Sequence, residues 1–176
     1  MGISMSIYKI IQFPDERSSQ VAQPVEAVNA EIKQIINNMF KTLYSAKNCA
    51  ALAASQLDIP WSDNIPRRIT VIDFSPNKDQ PLCLVNPEIS EQTGETLLKE
   101  GCMSVAVAVA AVKRFEKIKV KALDAEGKTI KFNADGFMAK CIQHEVDHLD
   151  GRIFLDHLST IRKSMLVAKI LKRKNK

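Results

Sequence analysis

Hydrophobic residues at Val28, Ile32, Ile35, Ile36, Met39, Phe40 and Leu43 recur every three or four positions, the spacing that lines one face of an α-helix. The stripe predicts a helix from about 25 to 45 that covers a sheet, with Pro24 suited to its first turn. The run Asn48-Cys49-Ala50-Ala51-Leu52-Ala53-Ala54-Ser55-Gln56 is made mostly of small residues, which let another backbone approach closely. Strand-like runs follow at 69–74 and 82–85, punctuated by Pro76, Asn77, Pro81 and the pair Asn86-Pro87. The sheet is expected to begin there. Segment 95–98 reads as a further strand, leading into Glu100-Gly101-Cys102-Met103-Ser104 and then an apolar loop over 105–112.

Ile118, Val120 and Ala122 alternate with Lys117, Lys119 and Lys121, and Asp124-Ala125-Glu126-Gly127 turns the chain into Thr129–Phe132. That pattern predicts a hairpin. Asn133 or Asp135 suits the cap of a following helix that Gly151 closes. A short strand over 153–155 and a last helix from near Ser159 complete the reading. Strands outnumber helices and no regular strand-helix alternation is present, so the expected fold class is α+β with small antiparallel or mixed sheets.

With 176 residues, 45% hydrophobic and 26% charged, the chain suits one globular domain, 1–176, with a sizeable core. The sequence has no apolar run of membrane-spanning length and no signal-peptide pattern, so a cytoplasmic protein without a membrane partner is expected. Either Met1 or Met5 suits as the biological start. Cys49, Cys83, Cys102 and Cys141 are scattered without a CxxC pair, which in a reducing compartment means thiols. The net charge of +5 collects in Arg162, Lys163, Lys169, Lys172, Arg173, Lys174 and Lys176. A basic helix end is either a solvated face or a dock for a polyanion such as RNA, and no nucleic-acid-binding motif accompanies it.

The chemistry concentrates in His144-Glu145-Val146-Asp147-His148, an HExxH pentapeptide in a chain with three histidines. On a helix the two imidazoles stand one turn apart on one face and can share a metal ion. Glu145 sits beside that ion, where it can take a proton from water whose pKa the cation lowers to about 7. Phe137, Cys141, His144 and His148 follow a 4-3-4 spacing, so both histidines fall on the stripe expected to face the core. A buried histidine is commonly a hydrogen-bonded core residue, but two on one face with a Glu between them favour a metal.

The third ligand is not local. Leu149-Asp150-Gly151 extends the match to HExxHxxG, yet Phe154 stands where a metzincin would place its third His, and no glutamate follows Glu145. Upstream, Cys102 lies in a Gly-containing turn, where a thiolate completes a Cys-His-His site with an open position for water. A free buried Cys can also be only a small hydrophobe.

Glu100-Gly101-Cys102-Met103-Ser104 resembles the EGCLS motif of peptide deformylases, Gln143-His144-Glu145-Val146-Asp147-His148 their QHExDH motif, and Ala51-Leu52-Ala53-Ala54-Ser55-Gln56 their GxGLAAxQ motif. The three stand in the family's order, and the resemblance covers nearly the whole chain. It implies small sheets packed around a central HExxH helix, with a long N-terminal and a C-terminal helix. It also implies a metal-dependent hydrolase that removes the formyl group from the formylmethionine of nascent polypeptides and releases formate. Cys102, His144 and His148 would bind one divalent ion, Fe2+ in the cell and Zn2+, Ni2+ or Co2+ in preparations. Glu145 would be general base and then acid, with the oxyanion meeting Gln56 and the backbone N–H of Met103. The peptide would add as a strand near Ala51 and Met103, its methionine entering a pocket with Ala50, Ala51, Phe137 and Cys141. The C-terminal helix would associate with the ribosome; no DNA partner is implied, and a monomer is expected.

Two departures stand out. Cys49 and Ala51 replace both glycines of the first motif, which makes a positive φ or close substrate approach there less comfortable. The family's SxPG reads Ser104-Val105-Ala106-Val107, followed by Val and Ala where the family shows polar residues and arginine. Arg114 is kept and is expected to pair with Glu100. A metal-binding but weakly active or non-catalytic relative with altered peptide preference is therefore a second reading.

Overall fold

The computed structural model describes residues 6–175. The choice between Met1 and Met5, and Lys176 of the basic tail, lie outside them. In chain order the elements are α1 (Ala30–Ser45), β1 (Ala51–Ala53), β2 (Ile69–Ile72), β3 (Leu82–Thr93), β4 (Thr96–Cys102), β5 (Val105–Arg114), β6 (Lys117–Leu123), β7 (Thr129–Asp135), α2 (Gly136–Leu149) and α3 (Thr160–Lys174). The α+β expectation holds.

α1 begins at Ala30, not near 25, because Asn29 accepts the Ile32 N–H at 2.9 Å and caps the helix. The preceding segment is instead tied to the sheet: Asn86 accepts the Val25 N–H at 2.8 Å and donates to the Val25 carbonyl at 2.9 Å. The sheet also starts earlier than expected, since β1 forms within the run of small residues and pairs with β2 through Ala51↔Ile72 and Ala53↔Thr70.

Five antiparallel strands lie in the order β1-β2-β3-β6-β7, and β4 with β5 forms a separate pair. Successive residues of β2 point to opposite faces. Val71 packs in the cluster with Ile35, Ile36, Met39 and Leu43 of α1, whereas Ile72 packs with Ala139 and Ile142 of α2. The sheet is thus covered on both sides, and α2 is the helix inserted between it and the β4–β5 pair.

Several boundaries differ from the sequence reading. Asn86-Pro87 does not end β3, because Asn86 takes φ 52° and the register shifts between Val85 and Glu88, a bulge that accommodates a proline. The 105–112 stretch is a strand, not a loop; Ala108, Ala110, Val112 and Arg114 are buried at alternate positions. Segment 153–155 enters a 3-10 turn over Phe154–His157, because Asp156 accepts the Ile153 N–H at 2.8 Å. Gly151 closes α2 at φ 74°, where a Cβ would stand 2.6 Å from the Ser19 carbonyl oxygen.

α3 starts at Thr160 with Ser159 as its cap. Its apolar stripe is only partly used: Ile170 is buried and packs with Val105, Phe154 and Leu155, while Ile161, Met165 and Leu171 are exposed. No helix among the described residues is long and apolar enough to cross a membrane.

Replacing Asn29 by Ala removes the α1 cap and should cost about 1 kcal/mol, lowering Tm by about 2–4 °C in a chain of this size. Thermal unfolding followed by circular dichroism checks this. An unchanged Tm would move the functional start of the helix back toward Pro24.

Candidate metal centre and active site

α2 carries His144 and His148 one turn apart, with ring centroids 4.8 Å from each other. Cys102 ends β4 and brings its thiol to the same point, so that the donor atoms of Cys102, His144 and His148 all lie within 4.8 Å of one another. Sγ of Cys102 is 3.2 Å from Nε2 of His148, which is 3.1 Å from Nε2 of His144.

The orientation of His144 is fixed from behind. Its Nδ1 lies 2.8 Å from Oε2 of Glu100, and an ionised carboxylate only accepts, so Nδ1 carries a proton and Nε2 is the nitrogen turned to the centre. Glu100 is held ionised, its pKa lowered to about 2: burial opposes this, but hydrogen bonds from Arg114 and His144 prevail. Arg114 donates Nε and Nη2 to the two Glu100 oxygens at 2.7 and 2.9 Å, and Nη1 to Asp147 on α2 at 2.6 Å. His157 reaches the same Asp147 oxygen at 2.7 Å. The Arg114–Glu100 pair expected from sequence is present, and the network extends from it to both the helix and the imidazole.

This donor set fits a divalent ion. A cation with an affinity for nitrogen and sulfur would meet the two facing imidazole nitrogens and the sulfur at once. The electrostatics agree. Burial opposes charge on His144, yet hydrogen bonds to Cys102 and Glu100 and the field of Glu145 lift it to about 10, so the pocket favours positive charge at its centre. His148 goes the other way, well below the usual imidazole range, because it is buried and faces His144. It is a neutral donor.

Glu145 is 3% exposed and its Oε2 has no hydrogen-bond partner. Burial is the main reason its carboxyl rises to about 7. Gln56 sits opposite, its Oε1 accepting the Ala53 N–H at 2.8 Å, which turns its amide nitrogen toward Cys102 Sγ at 3.3 Å and Ser104 Oγ at 3.2 Å. Ala50, Ala51, Met103, Phe137 and Cys141 join Gln56, Cys102, His144 and Glu145 around one cavity of about 620 Å³. The site residues singled out in the sequence meet here, His148 not in the cavity lining itself but 3.1 Å from His144, with one adjustment. Phe137 lies not in the core but at the cavity wall, 47% exposed. The separate groove of about 670 Å³ behind α2, walled by ion-paired residues such as Arg68 and Asp150, contains neither Cys102 nor Glu145.

The replaced glycines are also accounted for. Neither Cys49 nor Ala51 takes a positive φ; Asn48 does, at 55°, and asparagine tolerates that region. Sequence reasoning missed Ser104, which is fully buried and accepts from Gln56, and Gln143, which pins Phe115 by bonds to its N–H and carbonyl at 2.9 Å each. It also missed Gln12, which donates to the Met103 carbonyl at 2.9 Å from far upstream. The only local signal for Ser104 and Gln143 was their place inside the two metal motifs.

A buried helix offering two imidazoles and a carboxylate, completed by a strand-borne thiol, is the arrangement of a metal-dependent hydrolase. Residues 7–164 match the polypeptide deformylase family model. The chain is 56% identical over 161 residues to peptide deformylase 1 of Coxiella burnetii (strain RSA 493 / Nine Mile phase I), covering 91% of this chain and 92% of that one. It superposes on the peptide deformylase of Legionella pneumophila with a TM-score of 0.87 at 40% identity over 96% of both chains. On that of Ehrlichia chaffeensis in complex with actinonin the TM-score is 0.86 at 31% identity, over 97% of this chain and 99% of the other. The chain belongs to the polypeptide deformylase family, metal-dependent enzymes that remove the N-formyl group from nascent peptides. The second reading, a non-catalytic relative, finds no support in these likenesses.

Replacing Glu100 by Gln frees His144 from its charged partner and leaves Arg114 half-paired. Metal affinity should fall about 10- to 100-fold, as measured by competition with a chromophoric chelator. An unchanged affinity would mean that Glu100 serves the fold alone.

Proposed function

We infer that Glu145 is the proton carrier of deformylation and that Cys102, His144 and His148 hold the metal. A divalent cation there would supply Lewis acidity, polarising the formyl carbonyl and bringing the pKa of water toward about 7. Glu145 accepts a proton from water as the water oxygen attacks the formyl carbon. The same carboxyl returns that proton to the methionine nitrogen as the C–N bond breaks, leaving formate and a free amine. The amide of Gln56 and the backbone N–H of Met103 donate to the oxygen that gains charge. Gln56 is free to do so once the thiolate is bound to a cation and becomes a weaker acceptor.

The observation that carries this reading is the buried Glu145 carboxylate, its Oε2 without a partner, lining the same cavity as Cys102 and His144, two of the three converging donors. The substrate chain enters extended beside the outer edge of β1, which ends the five-stranded sheet. Its methionine occupies the pocket of Ala50, Ala51, Phe137 and Cys141. We assign ferrous iron as the cellular ion, compatible with a thiolate and two imidazoles.

The test is Glu145→Gln, purified without oxygen. Formate release from formyl-Met-Ala-Ser should fall about 10²-fold or more, while metal content, read by mass spectrometry, stays that of the parent. In the parent, activity should rise with pH along an acid limb at or below about 7, because the base must be ionised and a bound cation lowers the pKa set by burial. Retained turnover in the variant would remove Glu145 from the mechanism.

The basic face of α3 supports a second part of the proposal, association with ribosomal RNA. Arg162, Lys169, Lys172 and Arg173 are exposed, while Ile170 anchors the helix to the body. Changing those four residues to Gln leaves Ile170 in place. It should spare tripeptide hydrolysis and weaken co-sedimentation with ribosomes, the parent's association falling steeply with salt. Equal pelleting of both proteins at low salt would leave α3 as a solvated helix.

A further inference from the structure

The wall of the active cavity carries a feature that bond cleavage does not use. Between the pairs Glu100↔Ala110 and Cys102↔Val105 the register shifts, so β5 takes more residues than β4 over the same span and residues 106–109 bulge outward. Burial shows the same slip: Val105 is buried, Ala106 and Val107 are both exposed, and then Ala108 and Ala110 are buried on either side of exposed Val109. Val107 takes φ 62° in the middle of the bulge. A β-branched residue rarely adopts that left-handed conformation, and strain of this kind is held by the surrounding structure at sites of function.

The bulge places Val107 and Val109, each 60% exposed, on the cavity that holds Cys102 and Glu145. Neither belongs to a hydrophobic cluster among the described residues. Phe137 adds an exposed ring to the same cavity, stacked edge-on against Phe74 at 4.8 Å. Lys140, the lysine of the wall, is occupied: it donates to the Lys99 carbonyl at 2.8 Å and lies over the Phe137 ring. Asn48 and Lys140 apart, the side chains at the exit from the site are apolar.

We propose that Val107 and Val109 form a specificity wall that selects formylated peptides with apolar side chains at the two positions after the methionine. The inference rests on the deformylase reading of the site. The occupant is the substrate itself, because the wall is continuous with the place where its first residue reacts and an extended chain must leave along it. Its side chains alternate in direction, and those that flank the bulge meet the exposed surface of the two valines.

The test compares formyl-Met-Leu-Leu with formyl-Met-Ser-Ser by kcat/KM, and Met-Leu-Leu with Met-Ser-Ser by calorimetric Kd on the metal-loaded protein. The leucine peptides should be favoured about tenfold in both measures, the scale of a few methylenes in an apolar contact. Val107→Gly suits the left-handed backbone, and Val109→Ser leaves the backbone unaltered; in each the ratio should fall toward one. A parent ratio near one, or a leucine preference that survives in both variants, overturns the wall. Absence of formate release from every peptide with the Kd preference intact would instead refute the deformylase reading and uphold the wall.

Discussion

Arg114 is the group on which the rest of the site depends. Its guanidinium, 4% exposed at the side chain, joins Glu100 on β4 to Asp147 on α2, and Glu100 in turn orients His144. The strand that carries Cys102 and the helix that carries the imidazoles are therefore held in register by one planar cation. Arginine suits this place because its fork meets one carboxylate with two parallel bonds while a third N–H reaches another. Such a buried pair contributes little net stability compared with apolar packing, since both charges lose their water. What it contributes is position: a shift of either element would leave an ion buried without its partner.

Around this fixed point the polar groups are sorted by what they touch. Gln56 is aimed by a backbone N–H of β1, Gln143 clamps the backbone of Phe115, and Ser55 donates to the His148 carbonyl at 2.8 Å. Oε2 of Glu145 is buried without a hydrogen-bond partner. Glu100, surrounded by donors, stays charged, whereas burial raises the Glu145 carboxyl to about 7.

The departures from the family's pattern take on meaning once the backbone is known. Losing glycine at 49 and 51 costs no strain, because the left-handed residue is Asn48. At Val107 the opposite holds, and a branched side chain occupies φ 62°. The same kind of change in sequence is harmless at one wall of the cavity and strained at the other. Only the local dihedral distinguishes them.

The sequence by itself determined whatever depends on neighbours within a few residues. The HExxH pair is legible because helical spacing puts residues four apart on one face, and the β6–β7 hairpin because its alternation and turn are contiguous. Motif order was enough to identify the family. Tertiary structure decided the rest. The Cys102 sulfur meets His148 across 46 positions, and Gln12 meets Met103 across 91, distances at which periodicity carries no signal. The start of α1 was settled by the Asn29 side chain, and the true reach of β3 by a bulge at Asn86-Pro87. The 105–112 run read as a loop because alanine and valine barely differ in polarity; pairing with β4 and burial beneath α3 made it a strand. Local pattern fixes which face an element can bury, whereas register, bulges and ion partners are chosen by what packs against it.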